Sequence, residues 1–89
     1  MYNEILELEM YCKEIGVKVK KERLIDGYVL KFKNGGDVVQ HIGSYGSRSG
    51  CVEFGYTGFT STDFKATPLK NAKAFVKRNK DKLNKGVIK

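Results

Sequence analysis

The chemically most distinctive segment is residues 43–50, which holds three glycines and three serines together with Tyr45 and Arg48. Backbone amides in glycine-rich loops can bind phosphate, and an arginine can add a bidentate contact. The segment is not a Walker loop, because no Gly-Lys-Ser/Thr follows at the required offset. It is not a dinucleotide fingerprint either, because no helix is expected directly after it. Two interpretations remain: an anion-binding loop that uses Arg48, or an ordinary connection between two strands.

A row of basic residues near the end of the chain is the second candidate binding feature. It consists of Lys70, Lys73, Lys77, Arg78 and Lys80, and the lysines recur at spacings of three, four and three. On a helix this spacing places the lysines on one side. Such a row can follow a phosphate backbone through contacts that are independent of sequence and sensitive to salt. The alternative is a solvated helix face with no partner.

Three aromatic residues in or near predicted loops complete the candidate binding set. They are Tyr45, Tyr56 and Phe59. Aromatic rings beside basic residues can stack on unpaired bases. Tyrosine and arginine are also enriched at the centres of protein interfaces, so a protein partner is equally compatible with this set. Phe54, in contrast, lies in a predicted strand and is expected in the core.

Catalytic and metal chemistry have little support in the sequence. Asp37 and His41 would point the same way in an alternating strand, but no nucleophile elbow, catalytic carboxylate pair or metal motif accompanies them. Cys12, Cys51 and His41 offer three metal ligands at most, at unrelated spacings, and both cysteines are expected to be reduced core residues. We therefore expect a protein that is not an enzyme and has no metal or cofactor.

Length and charge narrow the class of protein. Eighty-nine residues predict a single domain over 1–89 with a frayed tail at 85–89, and the formal net charge is +7. The charge is uneven: residues 65–89 hold nine Lys or Arg against Asp81 alone, whereas residues 1–16 have a net charge of −3. This asymmetry suggests a polyanionic partner, the alternative being a merely lysine-rich composition. No apolar run reaches the roughly 20 residues of a membrane span, and no signal peptide is apparent, so a cytoplasmic protein is expected.

The hydrophobic pattern predicts helix, four strands, helix. Residues 3–15 repeat apolar side chains at helical spacing, with Asn3 as N-cap and Gly16 as the stop. The period then changes to two, with strands predicted at 17–20, 28–33, 38–42 and 51–56. Turns are expected at Asp26-Gly27, with positive φ at both residues, and at 34–37. The short connections make neighbouring strands antiparallel.

A second helix is predicted over residues 68–84, with Thr67 as the capping residue and Pro68 in the first helical position. Leu69, Ala72, Phe75, Val76 and Leu83 form its apolar side. The fold class is therefore α+β, with two layers, both helices on one face of a four-stranded antiparallel meander. The other face would show Lys18, Lys20, Lys31 and Lys33 to water. An exposed patch of Leu6 and Met10, or a sheet edge, could support an oligomer.

Residues 35–47 (GGDVVQHIGSYGS), 50–54 (GCVEF) and 67–74 (TPLKNAKA) resemble short reading frames of bacteriophages and prophages. The resemblance implies an intracellular phage accessory protein. Proteins of this size and origin are often inhibitors of host defence, anti-CRISPR proteins among them, and they bind an effector nuclease or its guide complex. Many such inhibitors are acidic mimics of DNA, whereas +7 has the opposite sign. An inhibitor of this composition would dock on an acidic protein surface or on nucleic acid within the complex.

The order of elements also resembles the double-stranded RNA-binding domain, with Lys70, Lys73 and Lys77 near the start of the last helix. The chain departs from that family in its additional strand and in its helix entry, where Thr67-Pro68-Leu69-Lys70 replaces Gly-Ser-Lys-Lys. Two functions are thus expected: a phage-type inhibitor of a bacterial nucleic-acid-processing complex or, alternatively, a module that binds free DNA or RNA.

Overall fold

In the computed structural model, residues 3–41, 43, 44, 46–55 and 66–86 are described. The elements, in chain order, are α1 (Glu4–Ile15), β1 (Val19–Leu24), β2 (Gly27–Phe32), β3 (Asp37–Gln40), a 3₁₀ turn (Ser47–Ser49), β4 (Cys51–Phe54), β5 (Thr67–Pro68), α2 (Leu69–Arg78) and α3 (Lys80–Leu83). The predicted α+β class is confirmed. Within the described part of the chain, none of the helices combines the length and the apolar character that a bilayer span requires.

The sheet has five strands in the order β1-β2-β3-β4-β5, and every neighbouring pair is antiparallel. The predicted four-stranded meander is therefore one strand short. The additional strand is Thr67–Pro68, which pairs with Cys51 and Val52 of β4. Its two residues are too few to show an alternating pattern, and a Thr-Pro pair is also typical of a helix start.

One core lies between the sheet and the helices. Its buried members are Ile5, Leu8, Cys12, Val17, Leu30, Phe32, Val38, Val52, Phe54, Ala72, Phe75, Val76 and Leu83. The predicted apolar stripes of both helices are confirmed, with Ile15 and Leu69 partly buried at their margins. Phe54 lies 4.7 Å from Phe75 between ring centroids, in a tilted arrangement that joins β4 to α2.

The start of α1 is stabilised by the sheet rather than by its own N-cap. Asn3 precedes the helix, but its side chain makes no capping hydrogen bond. Instead the backbone N–H of Ile5 donates to Oε1 of Gln40 at 2.9 Å. Nε2 of Gln40 donates to Oε1 of Glu4 at 2.9 Å and to the carbonyl oxygen of Ser47 at 3.3 Å. Gln40 is 0% exposed, so one buried amide joins α1, β3 and the 3₁₀ turn.

The end of α1 follows the sequence prediction. Gly16 adopts φ 84°. The N–H of Val17 donates to the carbonyl of Cys12 at 2.7 Å, and that of Gly16 donates to Lys13 at 3.3 Å. This pair of bonds is a Schellman motif, in which the left-handed residue is usually glycine. Val17 is buried directly after the helix, and β1 begins two residues later.

The first hairpin differs from the prediction in its turn residues. Leu24 pairs with Gly27, so the central residues are Ile25 and Asp26, and of these two only Asp26 has positive φ, at 55°. Gly27 belongs to β2. A Cβ there would meet the carbonyl oxygen of Gln40, so glycine is needed for the close approach of β3 rather than for a left-handed turn.

The C-terminal helix is divided, and its predicted start was wrong. Pro68 has ψ 150°, lies in β5 and precedes the helix, which begins at Leu69 without a side-chain cap. The helix is interrupted at Asn79, where Nδ2 donates back to the carbonyl of Phe75 at 3.0 Å. A side chain that bonds to the preceding turn competes with helix continuation. Leu83, in the last turn α3, is 0% exposed in the core, on the apolar side that its spacing from Val76 predicts.

The remaining strand boundaries are shorter or shifted relative to the predictions. β1 begins at Val19, two residues later than expected, and extends to Leu24. β3 ends at Gln40, which leaves His41 outside the strand. β4 ends at Phe54, and the predicted continuation to Tyr56 lies outside the described residues.

We predict that Gln40→Met will lower the free energy of unfolding by about 1–3 kcal/mol, because the thioether cannot cap Ile5 or donate to Glu4 and Ser47. Urea unfolding followed by circular dichroism measures the change. Asn71→Leu, at an exposed position of α2, is the control and should change stability by less than about 0.5 kcal/mol. A Gln40→Met variant as stable as this control would show that the buried amide does not stabilise the helix start.

Candidate functional site

The predicted basic row lies along α2 and α3, and its members differ in exposure. Lys70, Lys77, Arg78 and Lys80 are exposed, whereas Lys73 is half-buried. At about 100° per residue, Lys70, Lys73 and Lys77 fall within an arc of about 60°, and Arg78 lies about 80° beyond it. The row is therefore a lysine face with Arg78 on a neighbouring side of the helix.

Two members of the row contact α1. Nζ of Lys73 lies 5.5 Å from the centre of the Tyr11 ring, a cation–π geometry. Nζ of Lys80 lies 3.2 Å from the position that a Cβ on Gly16 would occupy, beside the carbonyl end of α1. A cation is stabilised at that end of a helix. These two contacts show that α1 and the segment formed by α2 and α3 run in the same direction, and they leave Lys70 and Lys77 as the outward lysines of the row.

The side of α1 that faces Lys73 is mixed in character. Glu7, Met10, Tyr11, Glu14 and Lys73 line a shallow depression of about 200 Å³. Met10 is 70% exposed, but Leu6 is partly buried against the core. The predicted apolar patch of Leu6 and Met10 is therefore reduced to Met10, because the helix turns Leu6 toward the core.

Arg48 lies at the other end of α1 from Lys80. It is exposed on the 3₁₀ turn, and the neighbouring Ser47 accepts a bond from Gln40 beside the start of α1. Lys80 lies beside Gly16, at the end of the same helix. Twelve residues of α-helix span about 18 Å, so the structure separates Arg48 from the C-terminal end of the row. Tyr45, Tyr56 and Phe59 lie outside the described residues.

Two of the three serines in the 43–50 segment, Ser44 and Ser47, are buried in the protein. Oγ of Ser44 accepts from the N–H of His41 at 3.0 Å and donates to the carbonyl of His41 at 2.9 Å. Gly46 and Gly50 have φ of 73° and 76°, which suits glycine at both ends of the 3₁₀ turn. The hydroxyl of Ser44 is thus used to close a turn, and Arg48 is the exposed cation of this segment.

The Asp37–His41 pair considered from the sequence is not formed. His41 lies beyond β3, and its Nδ1 accepts from the N–H of Gly43 at 2.8 Å. Asp37 lies beside Gly55 and opposite Lys31. Burial raises the pKa of the Asp37 carboxyl above 3.8, while Lys31 and the N–H of Gly55 oppose the rise and Glu53 adds to it. The two side chains serve separate local structures.

Neither cysteine is in a disulfide, and the two differ in burial. Burial, with the negative charge of Glu9, raises the pKa of the Cys12 thiol to about 12. Cys12 is therefore protonated at neutral pH and unsuited to nucleophilic or metal chemistry. Cys51 is also free but is half-buried and outside the core cluster, contrary to the prediction of a core residue. Among the described residues, no three histidine, cysteine or carboxylate side chains gather into a set that could hold a metal ion.

The sheet carries a basic feature that the sequence pattern indicated only as a solvated face. Lys20 of β1 is paired directly opposite Lys31 of β2, and Lys18 and Lys33 flank the next pair, Val19 and Phe32. All four lysines are exposed. Together with Val19 and Phe32 they line an open depression of about 320 Å³. We call Lys18, Lys20, Lys31 and Lys33 the lysine quartet.

The quartet has few acidic neighbours. Oε1 of Glu22 lies 3.2 Å from Nζ of Lys31, and Asp37 is paired with Lys31 from the other side. In the described ranges, none of the ion pairs involves Lys18, Lys20 or Lys33. Like charges directly opposite each other destabilise an antiparallel pair. The alternation of lysines with apolar residues indicated the face, but only the hairpin register places the lysines opposite one another.

The end of α3 adjoins the quartet. Oδ1 of Asn84 accepts from the N–H of Lys18 at 2.8 Å, and Nδ2 of Asn84 donates to the carbonyl of Gly16 at 2.9 Å. The N–H of Asn34 donates to the carbonyl of Leu83 at 3.2 Å. The backbone at Gly86 lies near the side chain of Lys33. The C-terminal basic segment is therefore held against the same end of the sheet that carries the quartet.

Comparisons with known proteins found no match: no family model, no curated protein and no solved structure resembles the chain closely enough to be significant.

We predict that Lys20→Glu will raise the free energy of unfolding by a few tenths to about 1 kcal/mol, because an opposite-charge pair with Lys31 replaces a repulsive one. Urea unfolding at low ionic strength measures the gain, which added salt should reduce. Lys20→Gln, which removes the repulsion without adding attraction, should give a smaller gain. A loss of stability in Lys20→Glu would contradict the assigned register.

A second prediction concerns the pH dependence of Asp37→Asn. A carboxyl with a raised folded-state pKa contributes stability below its unfolded pKa, and this contribution is lost as the pH rises through the folded value. The stability of Asp37→Asn relative to the unmodified protein should therefore increase between about pH 3 and pH 7. Urea unfolding across this range measures the difference. A difference that stays constant or decreases would contradict the burial of the carboxyl.

Proposed function

We propose that this chain is a non-enzymatic binding protein that docks on the phosphate backbone of a nucleic acid held in a bacterial nucleic-acid-processing complex. In this role it acts as a phage-type inhibitor of the complex, and an anti-CRISPR protein is the most specific form of the proposal. Such complexes work in the bacterial cytoplasm, which is where the proposal places the protein. The alternative, a module that binds free DNA or RNA, makes the same backbone contacts without the complex.

The observation that carries the proposal is the exposed cationic face of α2. Lys70, Lys77 and Arg78 are exposed, and none of the ion pairs between described residues involves them. Lys13 of α1 and Lys21 of β1 are engaged instead, since both pair with the buried Glu9, at 3.6 and 3.4 Å. Phosphate groups that are neutralised by lysine or arginine release their condensed counterions, and this release favours association.

Binding is favoured over catalysis by the state of the titratable groups. The Cys12 thiol is protonated at neutral pH because burial raises its pKa to about 12. His41 uses Nδ1 to close a local turn. Two depressions among the described residues, one lined by the lysine quartet and one by the surface of α1, are shallow, which suits the docking of a large partner rather than the enclosure of a small substrate.

We predict that Lys70→Gln with Lys77→Gln will weaken binding to a short fluorescein-labelled duplex. Each phosphate contact that is lost should make the plot of the logarithm of the association constant against log salt less steep by about 0.9. This corresponds to binding that is about 8-fold weaker per contact at 0.1 M salt. Fluorescence anisotropy between about 50 and 200 mM salt measures both quantities. Lys13→Gln, a lysine already paired with Glu9, is the matched control and should have a small effect.

The same assay with an isolated bacterial effector complex distinguishes the two forms of the proposal. Tighter binding to the complex than to its naked nucleic acid supports the inhibitor, and equal binding supports the free module. No binding to either target, or binding that is insensitive to salt, would contradict a function based on backbone contacts.

A further inference from the structure

We propose that the lysine quartet, on the face of the sheet that points away from the helices, is a second binding site, and that its ligand is the phosphate backbone of a nucleic-acid duplex. The inference rests on the proposed function and adds a site to it, since Lys20 and Lys31 lie on β1 and β2 and Lys18 and Lys33 lie directly beside the ends of these strands, away from α2. Neither the periodicity of the last helix nor the 43–50 segment pointed to it.

The geometry of the hairpin is the first argument. Lys20 and Lys31 are direct cross-strand partners, and Lys18 and Lys33 flank the next pair of the same hairpin. Antiparallel strands lie about 4.8 Å apart, and alternate residues on one strand lie about 6.7 Å apart. The four side chains therefore start from a compact, nearly rectangular array on a rigid element. A rigid array of cations loses less conformational entropy on binding than lysines on a loop.

The charge balance of the array is the second argument. Two carboxylates, Glu22 and Asp37, adjoin it, and both are placed beside Lys31. Lys18, Lys20 and Lys33 have no ion-pair partner among residues 3–41, 43, 44, 46–55 and 66–86. Lys20 faces Lys31 across the hairpin, and because both carboxylates lie beside Lys31, a polyanion would supply the counter-charge that Lys20 lacks.

The neighbouring C-terminal segment extends the same surface. Asn84 bonds to the backbone on both sides of Val17, and Gly86 approaches Lys33. Lys85 lies between these two residues in the chain and is exposed. The quartet is therefore continued, at its Lys18 and Lys33 side, by further positive charge carried on a segment that the sheet holds in place.

The character of the surface indicates a duplex rather than unpaired bases. The described residues of the outer face near the quartet are lysines, carboxylates, the buried Val29 and the half-buried Val39, and none of these side chains is aromatic. Phe32, which also lines the depression, is 4% exposed and belongs to the core. Without stacking, affinity depends on phosphate density, and duplex DNA carries one charge per about 1.7 Å of axis.

The test compares variants on the two faces of the β1–β2 hairpin, with labelled DNA and RNA duplexes of one sequence. Lys20→Gln and Lys33→Gln, combined, should reduce the slope of log K against log salt by about 1.8 and weaken binding many-fold. Arg23→Gln is the matched control, because Arg23 is an exposed residue of the same strand that pairs with Tyr28 on the opposite face. Its effect should be small.

Glu22→Gln should change duplex affinity in the opposite direction, and partial unfolding of the variant would not increase affinity. It releases Lys31 from its ion pair and should strengthen duplex binding and increase the salt slope by about 0.9. Unchanged or weaker binding by a folded Glu22→Gln would overturn the site. So would tighter binding to the single strand than to the duplex, or binding to heparin without binding to either duplex.

The outcomes separate this inference from the proposed function. If Lys70→Gln with Lys77→Gln weakens binding but the quartet variants do not, the quartet is not a site and the function of α2 stands. If only the quartet variants and Glu22→Gln change duplex binding, in the expected directions, the quartet is supported as a site and the α2 row is not the contact surface. If no variant changes binding or its salt dependence, both proposals fail.

Discussion

The buried side-chain amide of Gln40 is the interaction on which the arrangement of the described elements depends. It satisfies a backbone donor at the start of α1, bonds to Glu4 and holds the carbonyl of Ser47, all with no exposure to water. A buried amide that lacked these partners would be costly, so the helix, the sheet and the 3₁₀ turn must assume their relative positions together. The other end of α1 lies at Gly16, and the side chain of Asn84 donates a hydrogen bond to the carbonyl of Gly16. The C-terminal basic segment is thereby brought to the β1–β2 end of the sheet.

The same framework explains how a chain of net charge +7 divides its cations. Glu9, buried on α1, pairs with Lys13 of the same helix and with Lys21 of β1, and the second pair joins α1 to β1. Lys73 lies over Tyr11, and Lys80 lies at the carbonyl end of α1. The outward cations that form the two proposed surfaces are Lys70, Lys77 and Arg78 on α2 and the quartet on the sheet. Local pairing therefore determines which lysines can bind a partner, and the count of lysines alone does not.

The sequence predicted the elements well and their junctions less well. Apolar spacing located α1, the hairpin strands and the buried side of the last helix, because a side chain's burial follows directly from the period of its element. It missed β5, the break at Asn79 and the turn at Ile25-Asp26, because each depends on a contact with a distant strand or on one side-chain bond. For the site, the spacing of Lys70, Lys73 and Lys77 predicted a common face correctly. The involvement of Lys73 with Tyr11, the distance of Arg48 from Lys80 and the opposition of Lys20 and Lys31 required the tertiary structure.

The central claim is that two cationic faces, on α2 and on the β1–β2 hairpin, form the working surface of the protein. A titration of isotope-labelled protein with a short duplex, followed by nuclear magnetic resonance of backbone amides and lysine side chains, tests it directly. The account expects salt-sensitive shift changes at Lys20, Lys33, Lys70 and Lys77 and little change at Glu7 and Met10 on α1. Changes confined to the Met10 depression, or no change at low salt, would contradict it.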